Sequence, residues 1–191
     1  MIATALLLVL LAVASVTDVR RHTIYNWTTY PGIATALILN GAGSALTAAT
    51  NIEGRQLESF GWIGIGESFF GFVLCGFLLL VCFVFLKVGG GDVKLIAMLG
   101  AFLGVEKGVE AMLWTFVLGG CVGLIVLIWR VGAWRLVSRV LRQVLWTLRL
   151  GRWSPLAPEE RAQLQPPLFL APCAQAAVAI VQFSLLEFLG I

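Results

Sequence analysis

Long stretches without Asp, Glu, Lys or Arg constrain the fold of this chain more than any other feature. They cover residues 1–17, 22–52, 68–86, 95–105, 111–129 and 162–186. A helix of about 20 apolar residues spans the hydrocarbon core of a bilayer. The chain is 60% hydrophobic and only 12% charged, so it lacks the polar surface that a soluble fold needs. The sequence therefore predicts an integral membrane protein and excludes disorder, a DNA-binding surface and a disulfide scaffold.

The apolar stretches are solid blocks without the alternation of a β-barrel strand, which favours helices. The fourth stretch is short for a span, so a re-entrant or buried half-helix would fit it as well. We expect an all-α bundle of six transmembrane helices in one membrane-embedded domain over residues 1–191. The expected helices are at about 1–17, 28–47, 62–87, 93–105, 111–130 and 167–189.

The positions of the 13 basic residues predict the orientation. If all six helices cross, every Lys and Arg except Arg55 and Lys107 falls on one side, which the positive-inside rule identifies as the cytoplasm. Both termini then lie outside the cytoplasm. The basic cytoplasmic segment 131–166 fits either an amphipathic helix on the anionic inner leaflet or a solvated connector.

The sequence contains only two aspartates, Asp18 and Asp92, and both lie where an apolar stretch meets the predicted cytoplasmic face. Carboxylates at a membrane boundary are costly and are candidates for function. If the two approach each other, repulsion disfavours ionising both, so the pair shares a proton. One carboxylate could then activate water while the other polarises a scissile carbonyl. Structural alternatives stay open: Asp92 could simply begin a helix, and Asp18 could pair with Arg20 or Arg21.

Two motifs carry a resemblance to a known family. The run Gly89-Gly90-Gly91-Asp92 fits the Gly-x-Gly-Asp signature of membrane aspartyl proteases, and its continuation through Lys94 to Gly104 resembles the type IV prepilin peptidases. Asp18, Ile24 and Asn26 match the family's Asp-x5-Ile-x-Asn stretch. The proline-containing run 167–172 resembles the start of the family's last span. Presenilin-type proteases share the Gly-x-Gly-Asp signature but not the Lys-Leu continuation or this six-helix layout.

The resemblance implies a membrane aspartyl endopeptidase that cleaves prepilin or pseudopilin leaders at the cytoplasmic face of the inner membrane, without metal, cofactor or nucleic acid. Its partners would be these substrates and the lipid bilayer. Lys94 would either tune the neighbouring carboxylate or anchor to lipid headgroups, and we favour the anchor. The implied catalytic pair is Asp18 and Asp92, and the implied active-site loop or substrate-binding residues are Gly89, Gly90, Gly91, Lys94, Ile24 and Asn26.

The chain departs from the family pattern in two places. Tyr25 stands where many members have proline, which puts the local loop shape in question. Larger members carry Cys-x-x-Cys motifs and N-methylate the mature pilin, whereas the four cysteines here lie in apolar runs without zinc-site spacing. We read them as small buried apolar residues and predict peptidase activity without methyltransferase activity, as in short enzymes of Flp or tight-adherence pilus systems. The cysteines are Cys75, Cys82, Cys121 and Cys173.

Two other functions remain as alternatives. A small ion or proton pathway would use Asp18, Asp92 and Glu67, but such a pathway needs charges near the midplane of several helices, and only Glu67 approaches it. A non-catalytic pilus assembly factor would tolerate loss of either aspartate. His22, beside two arginines, is read as a solvated loop residue, and residues 89–91 lack the Gly-Lys-Ser/Thr of a phosphate loop.

Overall fold

The computed structural model describes residues 2–21, 23–50, 61–86, 89–132 and 169–183, together with Ser138, Leu141 and Leu145. The secondary-structure elements in these ranges are all α-helices. Four of the helices are long and apolar enough to cross a membrane, which confirms the expectation of an all-α membrane protein. The number of spans and the side of the termini stay predictions. The helices are α1 (Ile2–Arg21), α2 (Asn26–Thr50), α3 (Ile65–Leu86), α4 (Gly90–Val131) and α5 (Leu170–Gln182).

Helix α4 contains a break at Gly104 where the chain reverses. Gly104 has φ 82° and ψ −169°, a conformation essentially restricted to glycine. A Cβ built on Gly108 would lie 3.0 Å from the Cα of Gly100, although eight residues of straight helix would separate the two by about 12 Å. The fourth and fifth predicted helices are therefore two arms of a helical hairpin. The first arm is residues 90–103, and the second begins at Val105.

Helix α3 packs closely against the first arm of this hairpin. Gly71 lies against the Gly100 carbonyl, where neither position has room for a side chain. One turn earlier, the Ser68 hydroxyl donates a 2.6 Å hydrogen bond to the Ala101 carbonyl. This carbonyl is among the last four of the arm, which lack a partner within their own helix. Ser68 therefore satisfies a carbonyl that the hairpin leaves open.

Helix α1 packs against α5 and against α2, and α2 also contacts α3. The apolar faces of these helices and the first arm form one buried core. Its fully buried members include Leu7 and Leu11 of α1, Leu79 of α3, Met98 and Leu99 of α4, and Val178 of α5.

The chain divides into two compact units, Met1–Leu118 with Phe169–Ile191, and Gly119–Leu168. Both aspartates and the residues that contact them belong to the first unit. Most of the predicted basic segment 131–166 lies outside the described residues, as do His22, Arg55, Lys87 and Glu187.

Candidate active site

Asp18 lies in the last turn of α1 and is 6% exposed. Its Oδ2 accepts a 3.1 Å hydrogen bond from the backbone N–H of Ala171. Ala171 is the second residue of α5, where amides have no partner within the helix. Asp18 thus caps α5 from 153 positions away in the sequence, and this contact fixes the orientation of its carboxyl group.

A second polar contact sets the register of α1 against α5. The Ser15 hydroxyl donates to Oε1 of Gln175 at 3.1 Å, about one turn from the Asp18–Ala171 contact on both helices. Helix α5 begins at Leu170, inside the proline-containing run that the sequence marks as the start of the last span. Pro172 is tolerated there because the first turn of a helix does not need its missing N–H.

Asp92 lies in the first turn of α4 and is half-buried. Its backbone N–H donates to the Gly89 carbonyl at 3.0 Å. Its Oδ2 would lie 2.9 Å from a Cβ built on Gly89, so any side chain at this position would press on the carboxyl group. Because Gly89 has no side chain, the Asp92 carboxyl group can occupy the space beside its Cα.

The structure brings the two aspartates into one site. The charge of Asp18 acts on the Asp92 carboxyl group and also on the thiol of Cys173, which is buried near the start of α5. The site therefore forms where the end of α1 meets the beginnings of α4 and α5. Spacing along the sequence could not establish this approach, because the aspartates belong to different helices.

The other motif residues lie beside this site and contact one another in pairs. A Cβ built on Gly91 would lie 3.0 Å from the Cβ of Ile24, in the connector between α1 and α2. Nζ of Lys94 donates a 2.7 Å hydrogen bond to Oδ1 of Asn26. The same ammonium group lies 4.9 Å from the ring centroid of Tyr30. Lys94 therefore has partners within the chain on α2.

Tyr25, at the position where the resemblance puts the loop shape in question, is held by a side-chain contact. Nη1 of Arg21 donates to the Tyr25 hydroxyl at 2.9 Å. This hydrogen bond, followed by one with Thr23, lowers the pKa of the Tyr25 phenol. The Tyr25 carbonyl also accepts the Thr28 N–H at 3.1 Å, where α2 begins. The connector thus has a defined shape without proline.

Glu67 lies at the other end of the first unit, away from the aspartates. It lines a cavity of about 460 Å³ with Thr4 near the start of α1, Gly104 at the hairpin turn and Gln182 at the end of α5. Asp18 and Asp92 lie at the opposite ends of α1 and the first arm. The three carboxylates that a transport pathway would use are therefore not brought together.

The cysteines are all free, and their environments differ. Cys75 and Cys173 are buried and Cys82 is half-buried, as small apolar residues would be, but Cys121 is exposed. The expectation that all four are buried is therefore wrong for Cys121. Among the described residues, no three His, Cys, Asp or Glu side chains come together as a metal site would require.

The fold and the site define a multi-pass membrane protein with two interacting carboxylates on separate helices at one end. The family model described as the type IV leader peptidase family matches residues 5–124, well over half of the chain. The chain therefore belongs to the type IV leader peptidase family and is a peptidase. The matched region contains both aspartates, the α1–α2 connector and residues 89–94. Comparisons with curated proteins and with solved structures gave no match.

Proposed function

We propose that the protein is an aspartic endopeptidase that removes the leader peptide of type IV prepilins or pseudopilins, with Asp18 and Asp92 as its catalytic pair. The observation that carries the proposal is that these two carboxyl groups, which come from different helices, lie close enough for the charge of Asp18 to act on Asp92. The burial of Asp18, the partial burial of Asp92 and the place of both in the matched family region support the same assignment.

In this mechanism one carboxyl group of the pair is ionised and the other is protonated. The ionised group takes a proton from water as the water oxygen attacks the scissile carbonyl, and the protonated group donates to the carbonyl oxygen. Collapse of the tetrahedral intermediate breaks the C–N bond, and the leaving nitrogen takes up a proton from the pair. Gly90, where an added Cβ would meet only the Phe83 ring at 3.9 Å, lets an extended peptide lie close to the backbone beside Asp92.

The cytoplasmic face of the inner membrane is the proposed location of cleavage. Arg20 and Arg21 follow Asp18 by two and three positions, and Lys94 follows Asp92 by two positions. Basic residues at the ends of spanning helices favour the cytoplasmic side. Both aspartates therefore belong to the end of the protein that a prepilin leader would reach from the cytoplasm.

The test is processing of a co-expressed prepilin by Asp18→Asn and Asp92→Asn variants. Asparagine keeps the size of the side chain, and its Oδ1 can still accept the Ala171 N–H, but it cannot exchange the proton that the reaction requires. We expect each variant to accumulate in the membrane and to lose cleavage by a factor of about 100 or more. Glu67→Gln, at the opposite end of the unit, should process normally. Normal processing by either Asp variant would rule out the paired-carboxylate mechanism.

We further propose a substrate of the Flp type and no methyltransferase activity, because the sequence has no Cys-x-x-Cys motif. Mass spectrometry of pilin processed by this protein alone should show a free N-terminal amine. An added mass of one methyl group would contradict this part of the proposal.

A further inference from the structure

We infer that Lys94 is a positioning residue: by binding Asn26 and Tyr30 on α2, it holds the beginning of α4 against the α1–α2 connector and so sets the separation of Asp18 and Asp92. The inference rests on the peptidase function proposed above. It assigns Lys94 a contact within the protein rather than with lipid headgroups or with the reacting groups.

The two carboxyl groups need such a contact because they belong to elements far apart in the chain. Asp18 is fixed to α5 through Ala171. Asp92 is on α4, separated from α1 by all of α2 and α3. The connector at residues 23–25 leaves α1 just after Asp18, and its Ile24 lies against Gly91. A contact that holds the α1–α2 connector against the start of α4 therefore determines the distance between the two carboxyl groups.

The Lys94 side chain has the geometry needed for such a contact. Residues two apart on a helix point to nearly opposite sides, so the Lys94 side chain leaves α4 on a different side from Asp92. Its ammonium group binds Oδ1 of Asn26 at 2.7 Å, the length of a charge-assisted hydrogen bond. The face of Tyr30, one turn further along α2, lies 4.9 Å from the same group. These contacts direct the charge of Lys94 to α2.

The test is a double-mutant cycle on Lys94 and Asn26, measured as steady-state cleavage of a prepilin peptide by the detergent-solubilised full-length protein. The hydrogen bond between Lys94 and Asn26 is lost when either side chain is removed. Lys94→Met and Asn26→Ala should therefore each lower kcat about tenfold with little change in KM, and the double variant should be no slower than the slower single variant. Asn26→Asp keeps an acceptor for Lys94 and should recover most of the rate lost in Asn26→Ala.

Two results would overturn the inference. If Asn26→Ala cleaves at the wild-type rate, or if the losses of the two single variants multiply, Lys94 acts through its own charge and not through Asn26. If Lys94→Met does not accumulate, the comparison of Asn26→Ala with Asn26→Asp decides the question alone.

Asp18→Asn and Asp92→Asn in the same assay separate this inference from the proposed function. If they cleave normally, the peptidase mechanism fails. If they are inactive while the cycle is additive, only the role of Lys94 fails.

Discussion

At the scale of single residues, Asp18 has a structural contact in addition to its proposed part in catalysis. Its carboxyl group is the partner of the buried Ala171 amide at the start of α5. A buried amide left without a partner costs about 1–3 kcal/mol. The two roles can be separated because asparagine can accept this hydrogen bond and alanine cannot.

We therefore expect Asp18→Ala to lower the free energy of unfolding by about 1–3 kcal/mol relative to Asp18→Asn, while both variants lose cleavage. Thermal unfolding of the purified variants in one detergent would measure the difference. Equal melting temperatures for the two variants would show that the Ala171 contact does not stabilise the protein.

Ser68 also satisfies a buried backbone group, because its hydroxyl donates to the Ala101 carbonyl next to the hairpin turn. Ser68→Ala should destabilise the protein by about 1–3 kcal/mol, because the carbonyl is left without this donor. Thr35→Val is the matched control: Thr35 donates to the Pro31 carbonyl of its own helix at an exposed position, so its loss should cost less than about 0.5 kcal/mol. Chemical unfolding curves in detergent would compare the two.

The sequence identified candidate residues of the site but not all the groups that they contact. Asp18, Ile24, Asn26, Gly91 and Lys94 belong to recognisable motifs, so the sequence alone is enough to name them. The Ala171 amide could not be named in this way, because every residue except proline carries a backbone N–H and only the packing of α5 on α1 selects this one. The contact between Ser15 and Gln175 could have been suspected from the sequence, because both are polar residues within apolar stretches.

At the scale of helices, the hairpin in α4 depends on the backbone of Gly104. Gly104→Ala should destabilise the protein by about 1–3 kcal/mol, because φ 82° with ψ −169° is strained for any residue with a Cβ. The added methyl group would also lie 3.3 Å from Ile63 Cδ1. The melting temperature of the purified variant is the measurement.

Gly66→Ala is the control for this substitution. A Cβ at Gly66, in the first turn of α3, meets no atom within 4 Å. Alanine there should leave the stability unchanged or raise it by up to about 1 kcal/mol, because it favours the helix. A loss as large as that of Gly104→Ala would contradict the assignment of the effect to backbone strain.

The helices extend further than the apolar stretches in two places that bear on the site and the hairpin. The charged residues Glu106, Lys107 and Glu110 suggested a loop at 106–110, yet the helix resumes at Val105, since Glu106, Lys107 and Glu110 project from its exposed side. Helix α1 continues through Asp18 to Arg21, because Asp18 is held by α5 and two arginines in the last turn favour the negative end of the helix dipole.

At the scale of the whole molecule, the connector at residues 23–25 and the hairpin turn lie at opposite ends of the membrane-spanning helices. Cysteine substitutions at Thr23 and Lys107, in a background without the four native cysteines, test this arrangement. We expect a membrane-impermeant maleimide to label Lys107→Cys in cells with an intact inner membrane and Thr23→Cys only in inverted vesicles. Labelling of both positions from one side would contradict the predicted orientation.

The meeting of Asp18 with Asp92 is the feature of the whole molecule that the sequence could not supply. The distribution of basic residues along the chain predicts the side of the membrane on which a residue lies. It predicts that both aspartates lie on the same side. Their approach depends on the packing of α1, α3, α4 and α5, which is set by contacts such as Ser15–Gln175 and Gly71–Gly100. Such contacts join residues far apart in sequence.

The early turn at Gly104 has a consequence for the lipid around the enzyme. Residues 90–103 form about 20 Å of helix at ~1.5 Å per residue, whereas the hydrocarbon layer of a typical bilayer is about 30 Å thick. Either the bilayer thins beside this arm or Asp92 lies below the level of the headgroups. Cleavage by protein reconstituted in phosphatidylcholines of increasing acyl length should therefore be fastest in the shorter chains and fall as the membrane thickens; a rate independent of acyl length would show that the neighbouring helices shield the short arm completely.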